Sequence, residues 1–213
     1  CTPVLGTMPR YQRIFDGGLN CARWRSNVFE RLREDPPDMI VLVFSDDYAL
    51  VDKENRKLND KQKEQQLESG LRATLRALPK QSTVVLLADA PRSLKNAPNC
   101  LQQNPRDMSA CLTLNEPDSA RRLNTVQRRA MEQGGGVYST LEDKICPSRP
   151  CPLVQGDILI NKDKGHLTVT FTRKLAPSLR AELAPLLAPP TPKPTPTPEP
   201  TPTPTPSVEP SLD

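Results

Sequence analysis

The sequence predicts an α/β fold with three layers around a mostly parallel sheet. Two short apolar runs, DMIVLVF (38–44) and STVVLLAD (82–89), are rich in Val, Ile and Leu, as strands covered on both faces are. Between them, DKQKEQQLESGLRATLRAL places Leu67, Leu71, Leu75 and Leu78 on one helical face and charge on the other. A strand, a helix and a second strand in that order imply a right-handed crossover between parallel neighbours.

The other elements follow in chain order. ARWRSNVFERLRE (22–34) reads as an amphipathic helix with Trp24, Val28, Phe29 and Leu32 facing inward, and it stops before DPPD, which cannot continue it. PDSARRLNTVQRRAMEQGGG (117–136) is helical through Leu123, Val126 and Ala130, with three glycines as a C-terminal stop. GVYST (136–140) is expected as a central strand and GDILIN (156–161) as a strand at an edge or in a hairpin. In TVTFTRKLAPSLRAELAPLL (168–187), Phe171, Leu175, Leu179 and Leu183 fall four apart. Pro177 is expected either in the first turn of that helix or at a kink. Ligand sites in such sheets lie at the carboxyl ends of the strands, so the loop after GDILIN is a candidate.

Length and composition divide the 213 residues into one domain, 1–187, and a Pro/Thr-rich tail, 188–213. From Pro189 the chain reads PPTPKPTPTPEPTPTPTPSVEPSLD. Its prolines block helix and favour an extended polyproline rod, so the tail is expected to be either a spacer or a disordered terminus without a role. The net charge is +4, Lys and Arg are dispersed, and aromatics make up 4%. Nucleic acid is therefore not an expected partner, since base stacking and a concentrated basic patch are both lacking. No run reaches the roughly 18–20 apolar residues of a membrane span. The chain opens on Cys1 without an initiator methionine, as expected for a processed protein or a fragment.

The six cysteines form three sequence-local pairs: Cys1 and Cys21, Cys100 and Cys111, Cys146 and Cys151. Six allow fifteen pairings, but the short proline-bearing stretches CPSRPC and CLQQNPRDMSAC favour pairing between neighbours. Zinc is the competing use; these spacings fit no common finger or ribbon, and the chain has one histidine. No metal or cofactor is expected, and disulfides imply an oxidising, extracytoplasmic location. A further alternative makes Cys1 a lipid-acylated residue, which would leave Cys21 without its neighbour.

The lone histidine lies in NKDKGHLTVTF (161–171), three residues after Asp163. In that spacing a carboxylate can accept a hydrogen bond from one ring nitrogen and leave the other as a base. The competing reading is an exposed pair before a helix, with Asp163 and Thr168 serving only the local backbone.

Taken with that Asp-x-x-His, the stretches PPDMIVLVFSDDYALVD, VVLLADAPRSLKNAPNCL and CPLVQGDILINKDKGHLTVTFTRKLAPSL resemble one group of the SGNH (GDSL-like) hydrolases. It is the SGNH domain fused behind the membrane acyltransferase-3 domain in bacterial O-acyltransferases, and the resemblance covers roughly residues 1–187. It implies an SGNH/flavodoxin-like sandwich and an extracytoplasmic domain tethered to the membrane through an N-terminal part. That domain would transfer or hydrolyse acyl groups on cell-envelope carbohydrate. His166 would be the general base and Asp163 its orienting carboxylate. The acyl donor would come from the upstream membrane domain, and a carbohydrate hydroxyl would be the acceptor.

The family's nucleophile is the serine of a Gly-Asp-Ser block on the first strand, and the sequence has no such triplet. Its one Gly-Asp, Gly156–Asp157, is followed by Ile158. The first strand and its serine are therefore expected upstream of Cys1, and the chain by itself is expected to be inactive. Asp46 or Asp47 in FSDD (44–47) follows the right strand for the family's Gly-x-Asn-Asp block, but Phe44 replaces the glycine. An acid in the asparagine position would also repel an oxyanion, and the competing role for both is that of surface acids capping the next element. The alternative to an enzyme is a non-catalytic carbohydrate-binding domain with the same fold.

Overall fold

Three parallel strands organise the chain. The computed structural model describes residues 1–10, 19–45, 49–92, 95–112 and 118–187. The tail from residue 188, and with it the expected domain boundary, lies outside the described residues. So do Asp46 and Asp47.

Helix α1 (Leu19–Glu34) leads to strand β1 (Met39–Leu42), helix α2 (Asp60–Ala77) and strand β2 (Thr83–Leu87). The short helix α3 (Ala97–Gln103) and a 3₁₀ turn (Met108–Cys111) precede helix α4 (Asp118–Gln133) and strand β3 (Val137–Ser139). After them come the single turn α5 (Glu142–Ile145), the two-residue strands β4 (Val154–Gln155) and β5 (Ile158–Leu159), and helix α6 (Val169–Leu183). The sheet order is β1-β2-β3, parallel throughout, with Ile40 opposite Val84 and Leu86 opposite Tyr138. The α/β expectation holds.

Local chemistry explains the boundaries. Asn59 and Gln62 form a reciprocal capping box at the start of α2: Asn59 Oδ1 accepts from Gln62 N–H at 2.9 Å and Gln62 Oε1 from Asn59 N–H at 3.0 Å. Leu67, Leu71, Leu75 and Leu78 are all buried, as their spacing predicts. Helix α4 ends in a Schellman arrangement, with Gly136 N–H donating to Met131 O at 2.8 Å and Gly135 N–H to Glu132 O at 3.3 Å. Gly135 sits at φ +78°, where a side chain would be strained.

The main core joins Phe29, Ile40, Leu42, Leu67, Leu71, Leu75, Val84, Leu86, Leu123, Ala130 and Met131. A second cluster, Ile145, Ile160, Phe171 and Leu175, has Ala90, Leu141, Ile158 and Leu167 packed against it. It ties the loop after β2, α5, the β4–β5 hairpin and α6 together, and so fixes the ground on which the candidate site stands. All three neighbour disulfides are present: Cys1–Cys21, Cys100–Cys111 and Cys146–Cys151. None of the described cysteines is free.

Four expectations need correction. Trp24 is exposed, and Arg25 takes the inward position, its guanidinium donating to Thr2 O at 3.2 Å. The turn of α1 toward the N-terminal segment therefore offers a carbonyl to satisfy a cation. Strand β1 is buried on one face only: Val41 and Val43 are 40% and 58% exposed, while Val85, beside Val41 on β2, is fully buried. Strand β3 ends the described sheet instead of lying at its centre, because it pairs with β2 alone. Finally, Pro177 is not in the first turn of α6 but lies inside the helix. The helix starts eight residues before Pro177 because Thr168 caps it, accepting from Phe171 N–H at 3.2 Å.

Candidate active site

The site is built outward from the β4–β5 hairpin. Val154 pairs with Leu159 and Gln155 with Ile158, leaving Gly156–Asp157 as a two-residue turn with Gly156 at φ +65°. The one Gly-Asp of the sequence is thus a hairpin turn and has no nucleophile beside it. Beyond β5 the chain makes a second, narrower loop. Asn161 bridges Leu167, and Lys162 N–H donates to His166 O at 2.9 Å.

The far side of that loop is fastened by Thr168. Its N–H donates to Ile160 O at 2.8 Å and its hydroxyl to Leu159 O at 2.6 Å, while the same oxygen caps α6. Thr168 thus serves the local backbone.

Asp163 does more. Its Oδ1 accepts from the Gly165 and His166 N–H groups, both at 2.8 Å, closing an Asx-type turn. The same carboxylate meets His166 Nδ1, at 3.0 Å from Oδ1 and 2.9 Å from Oδ2. The Gly165 N–H first, then the imidazole and the His166 N–H, hold the Asp163 carboxyl down at about 2, against the burial that would raise it.

A carboxylate this acidic is an acceptor only, so Nδ1 carries the ring proton. In the neutral ring the lone pair is then on Nε2. The side chains of His166 and Asp163 are 73% and 38% exposed. Among the described residues no hydrogen bond reaches Nε2, and the ring stands ready to take a proton from a group brought up to it.

The pH dependence of this turn follows from the depressed acidity. Because the folded value lies below the ordinary one, the hold of Asp163 on the two amides is complete above the usual carboxylate range. It is lost only as pH falls through about 2. An NMR titration of the Asp163 carboxyl carbon should give a midpoint near 2, with the Gly165 and His166 amide signals moving in step. A midpoint at the ordinary aspartate value would show that the turn does not persist in solution.

Sequence reasoning missed a second polar group. Ser45, just beyond β1, donates through Oγ to Asp89 Oδ2 at 2.9 Å, and Arg92 Nη2 donates to Ser45 Oγ at 2.6 Å. Asp89 and Arg92 lie on the loop after β2, so the group occupies the carboxyl ends of two adjacent strands. That position, where α/β sheets keep their ligand sites, was the available signal in VFS and ADAPR. Asp46 and Asp47, the acids considered for this region, fall outside the described residues. Among the described residues no group of three or more His, Cys, Asp or Glu side chains is arranged to hold a metal ion.

Comparison with known proteins agrees with this architecture. The periplasmic domain of a lipopolysaccharide acetyltransferase from Salmonella ser. Paratyphi A superimposes with a TM-score of 0.51 at 15% identity, over 74% of this chain and 62% of that one. A peptidoglycan O-acetylesterase gives a TM-score of 0.51 at 20% identity, over 80% of this chain and 44% of the other. The chain therefore spans less than two thirds of either neighbour, and at these identities the likeness concerns the fold. No curated protein matches by sequence. The model of the SGNH domain that is fused to AT3 domains matches residues 1–181. With that match over most of its length, the chain belongs to the family of SGNH domains fused to AT3 domains.

Proposed function

We propose that this chain is the extracytoplasmic SGNH part of a membrane O-acyltransferase that moves acyl groups to, or hydrolyses them from, cell-envelope carbohydrate. The observation that carries the reading is the Asp163–His166 pair, in which a loop carboxylate holds Nδ1 and leaves Nε2 for proton transfer. His166 acts as general base and Asp163 as its orienting carboxylate.

The nucleophile is a serine on a strand preceding Cys1 that pairs with the free edge of β1. Two features of β1 support this. It pairs only with β2 among the described residues, and its face bearing Val41 and Val43 is open to solvent. A bare apolar edge strand is a liability unless something covers it. A strand added there would also bring a serine to the carboxyl edge of the sheet, where Ser45, Asp89 and Arg92 lie.

In the first half-reaction Nε2 removes the serine hydroxyl proton as oxygen attacks the acyl carbonyl, and the donor leaves with that proton. In the second, Nε2 takes the proton of a carbohydrate hydroxyl or of water. The acyl–serine bond breaks and the serine is reprotonated. Backbone donors would hold the oxyanion in both steps. The acyl donor is supplied by the membrane acyltransferase domain to which members of this family are fused. That one structural neighbour is a lipopolysaccharide acetyltransferase domain and the other a peptidoglycan O-acetylesterase supports both carbohydrate and acyl chemistry. An extracytoplasmic location is supported by the three disulfides. No described helix is long and apolar enough to cross a membrane.

The absence of Gly-Asp-Ser favours one competing reading, a carbohydrate-binding domain with no chemistry. Acetyl-ester turnover separates the two. The 213-residue chain should stay at background, and a longer protein including the residues before Cys1 should be active. Silence of that longer protein, folded and presented with acetylated envelope polysaccharide, would replace the enzyme with the binding module.

A further inference from the structure

The polar group at the strand ends reaches the loop that carries His166 through Arg92. Arg92 is held at one edge: Nη2 donates to Ser45 Oγ at 2.6 Å and lies 3.5 Å from Asp89 Oδ2, the oxygen that also accepts from Ser45. Asp89 is fastened in turn, its Oδ1 accepting from Ala90 N–H at 3.0 Å. A face of the guanidinium lies against Gly165. A methyl group placed on Gly165 would stand 3.2 Å from Arg92 Nη1, tighter than such contacts normally settle, and 3.6 Å from Cζ, an ordinary contact distance.

Gly165 is not among the residues at positive φ. Its backbone conformation therefore does not require glycine, and a larger residue there would make the Arg92 guanidinium give way by a few tenths of an ångström. Gly165 is also the residue whose N–H donates to Asp163 Oδ1, so the guanidinium packs beside a residue whose amide helps to fix the carboxylate orienting His166.

We infer that Arg92, clamped by Ser45 and Asp89, is a positioning residue that sets the Gly165 turn, and with it the Asp163–His166 pair, against the carboxyl ends of β1 and β2. The inference rests on the proposed role of His166 as base. Its physical basis is the geometry of the guanidinium. A flat, rigid fork can bond two strand-end groups along one edge and still present a face to a bare backbone. A loop fastened only through its two ends leaves the tip free to drift, and a displacement of about 1 Å at a reacting group can cost on the order of 100-fold in rate. Lysine, with a point charge on a flexible stem, cannot reproduce both contacts.

His166 is the sole histidine of the chain, so its imidazole ¹⁵N and ¹H signals report on the turn without assignment ambiguity and without any turnover. In the 213-residue chain the neutral ring should be the Nδ1–H tautomer. Arg92→Ala should give a mixture of tautomers and raise amide hydrogen exchange at Gly165 and His166 by about tenfold, leaving β2 and α6 at wild-type protection. Gly165→Ala should disturb the same signals by crowding the guanidinium. Its effect should disappear in the Arg92→Ala background, where the crowded partner is gone. Arg92→Lys should not restore the wild-type spectrum, and Ser45→Ala should produce a smaller change in the same direction.

A wild-type tautomer and wild-type exchange in Arg92→Ala would overturn the inference. So would a Gly165→Ala effect that simply adds to that of Arg92→Ala. If Arg92→Ala does not fold, Ser45→Ala and Gly165→Ala carry the test, and an unchanged His166 spectrum in both overturns it equally. Because these signals are read without catalysis, failure here is separate from failure of His166 as a base, which activity measurements address.

Discussion

In a longer protein that supplies the serine, His166→Ala should lower kcat for acyl transfer by roughly 10³-fold or more, since without a base the hydroxyl remains a weak nucleophile. Asp163→Asn should cost about 10²–10⁴-fold. The second loss has a geometric cause. Both carboxylate oxygens lie within 3.0 Å of Nδ1, and Oδ1 also accepts two backbone N–H groups. An amide must set its NH₂ against one of these donors, or else turn so that the ring presents the wrong tautomer. His166 belongs to no apolar cluster and its side chain is largely exposed, so His166→Ala should keep the wild-type circular dichroism and melting temperature. Wild-type rates in folded His166→Ala would return this histidine to the role of a surface residue beside a helix.

Phe171→Ala should be the most damaging single change near the site, at about 3–5 kcal/mol, or a fall in melting temperature on the order of 10 °C for a domain of this size. Phe171 is fully buried on the first turn of α6 and joins Ile145, Ile160 and Leu175 in the second cluster. Truncating it opens a cavity where the hairpin, the loop after β2 and α6 meet, so the Asp163–His166 turn should loosen as well. Val169→Ala, on the same turn but exposed, should stay within about 0.5 kcal/mol. Thermal unfolding of the two variants checks the pair. A loss below about 1 kcal/mol for Phe171→Ala would mean that the second cluster does not bear on stability.

Much of this was legible beforehand for reasons of range. Leu67, Leu71, Leu75 and Leu78 recur at helical spacing, and the face they define was buried as read. The disulfides join cysteines 20, 11 and 5 residues apart, so closing them requires little of the rest of the fold. Asp163 and His166 are three residues apart and bond to each other within one turn. Each of these outcomes depends on a short stretch of chain whose geometry local chemistry decides.

Where the reading failed, the deciding partner was distant in sequence. Trp24 and Arg25 are equally placed to face inward by periodicity, and the choice between them turned on the Thr2 carbonyl across the Cys1–Cys21 link. VLVF in β1 and VVLL in β2 look alike as strings. Val41 is nonetheless open and Val85 closed, because among the described residues β2 has a neighbour on each side and β1 has one. Pro177 falls beyond the first turn because α6 starts at the Thr168 cap, which is held by bonds to Leu159 and Ile160 that the helix itself does not contain.

The sequence by itself determined the alternation of strands and helices, the cysteine pairs and the bonded Asp163–His166 pair. All of these arise from contacts within a turn, a helix face or a short loop. Tertiary structure alone decided that Ser45, Asp89 and Arg92 would meet, and that the guanidinium would lie on Gly165. Ser45 and Arg92 are separated by 47 residues. They come together only because parallel pairing sets the carboxyl ends of β1 and β2 side by side, and α6 with the β4–β5 hairpin carries the loop of residues 162–166 onto that edge.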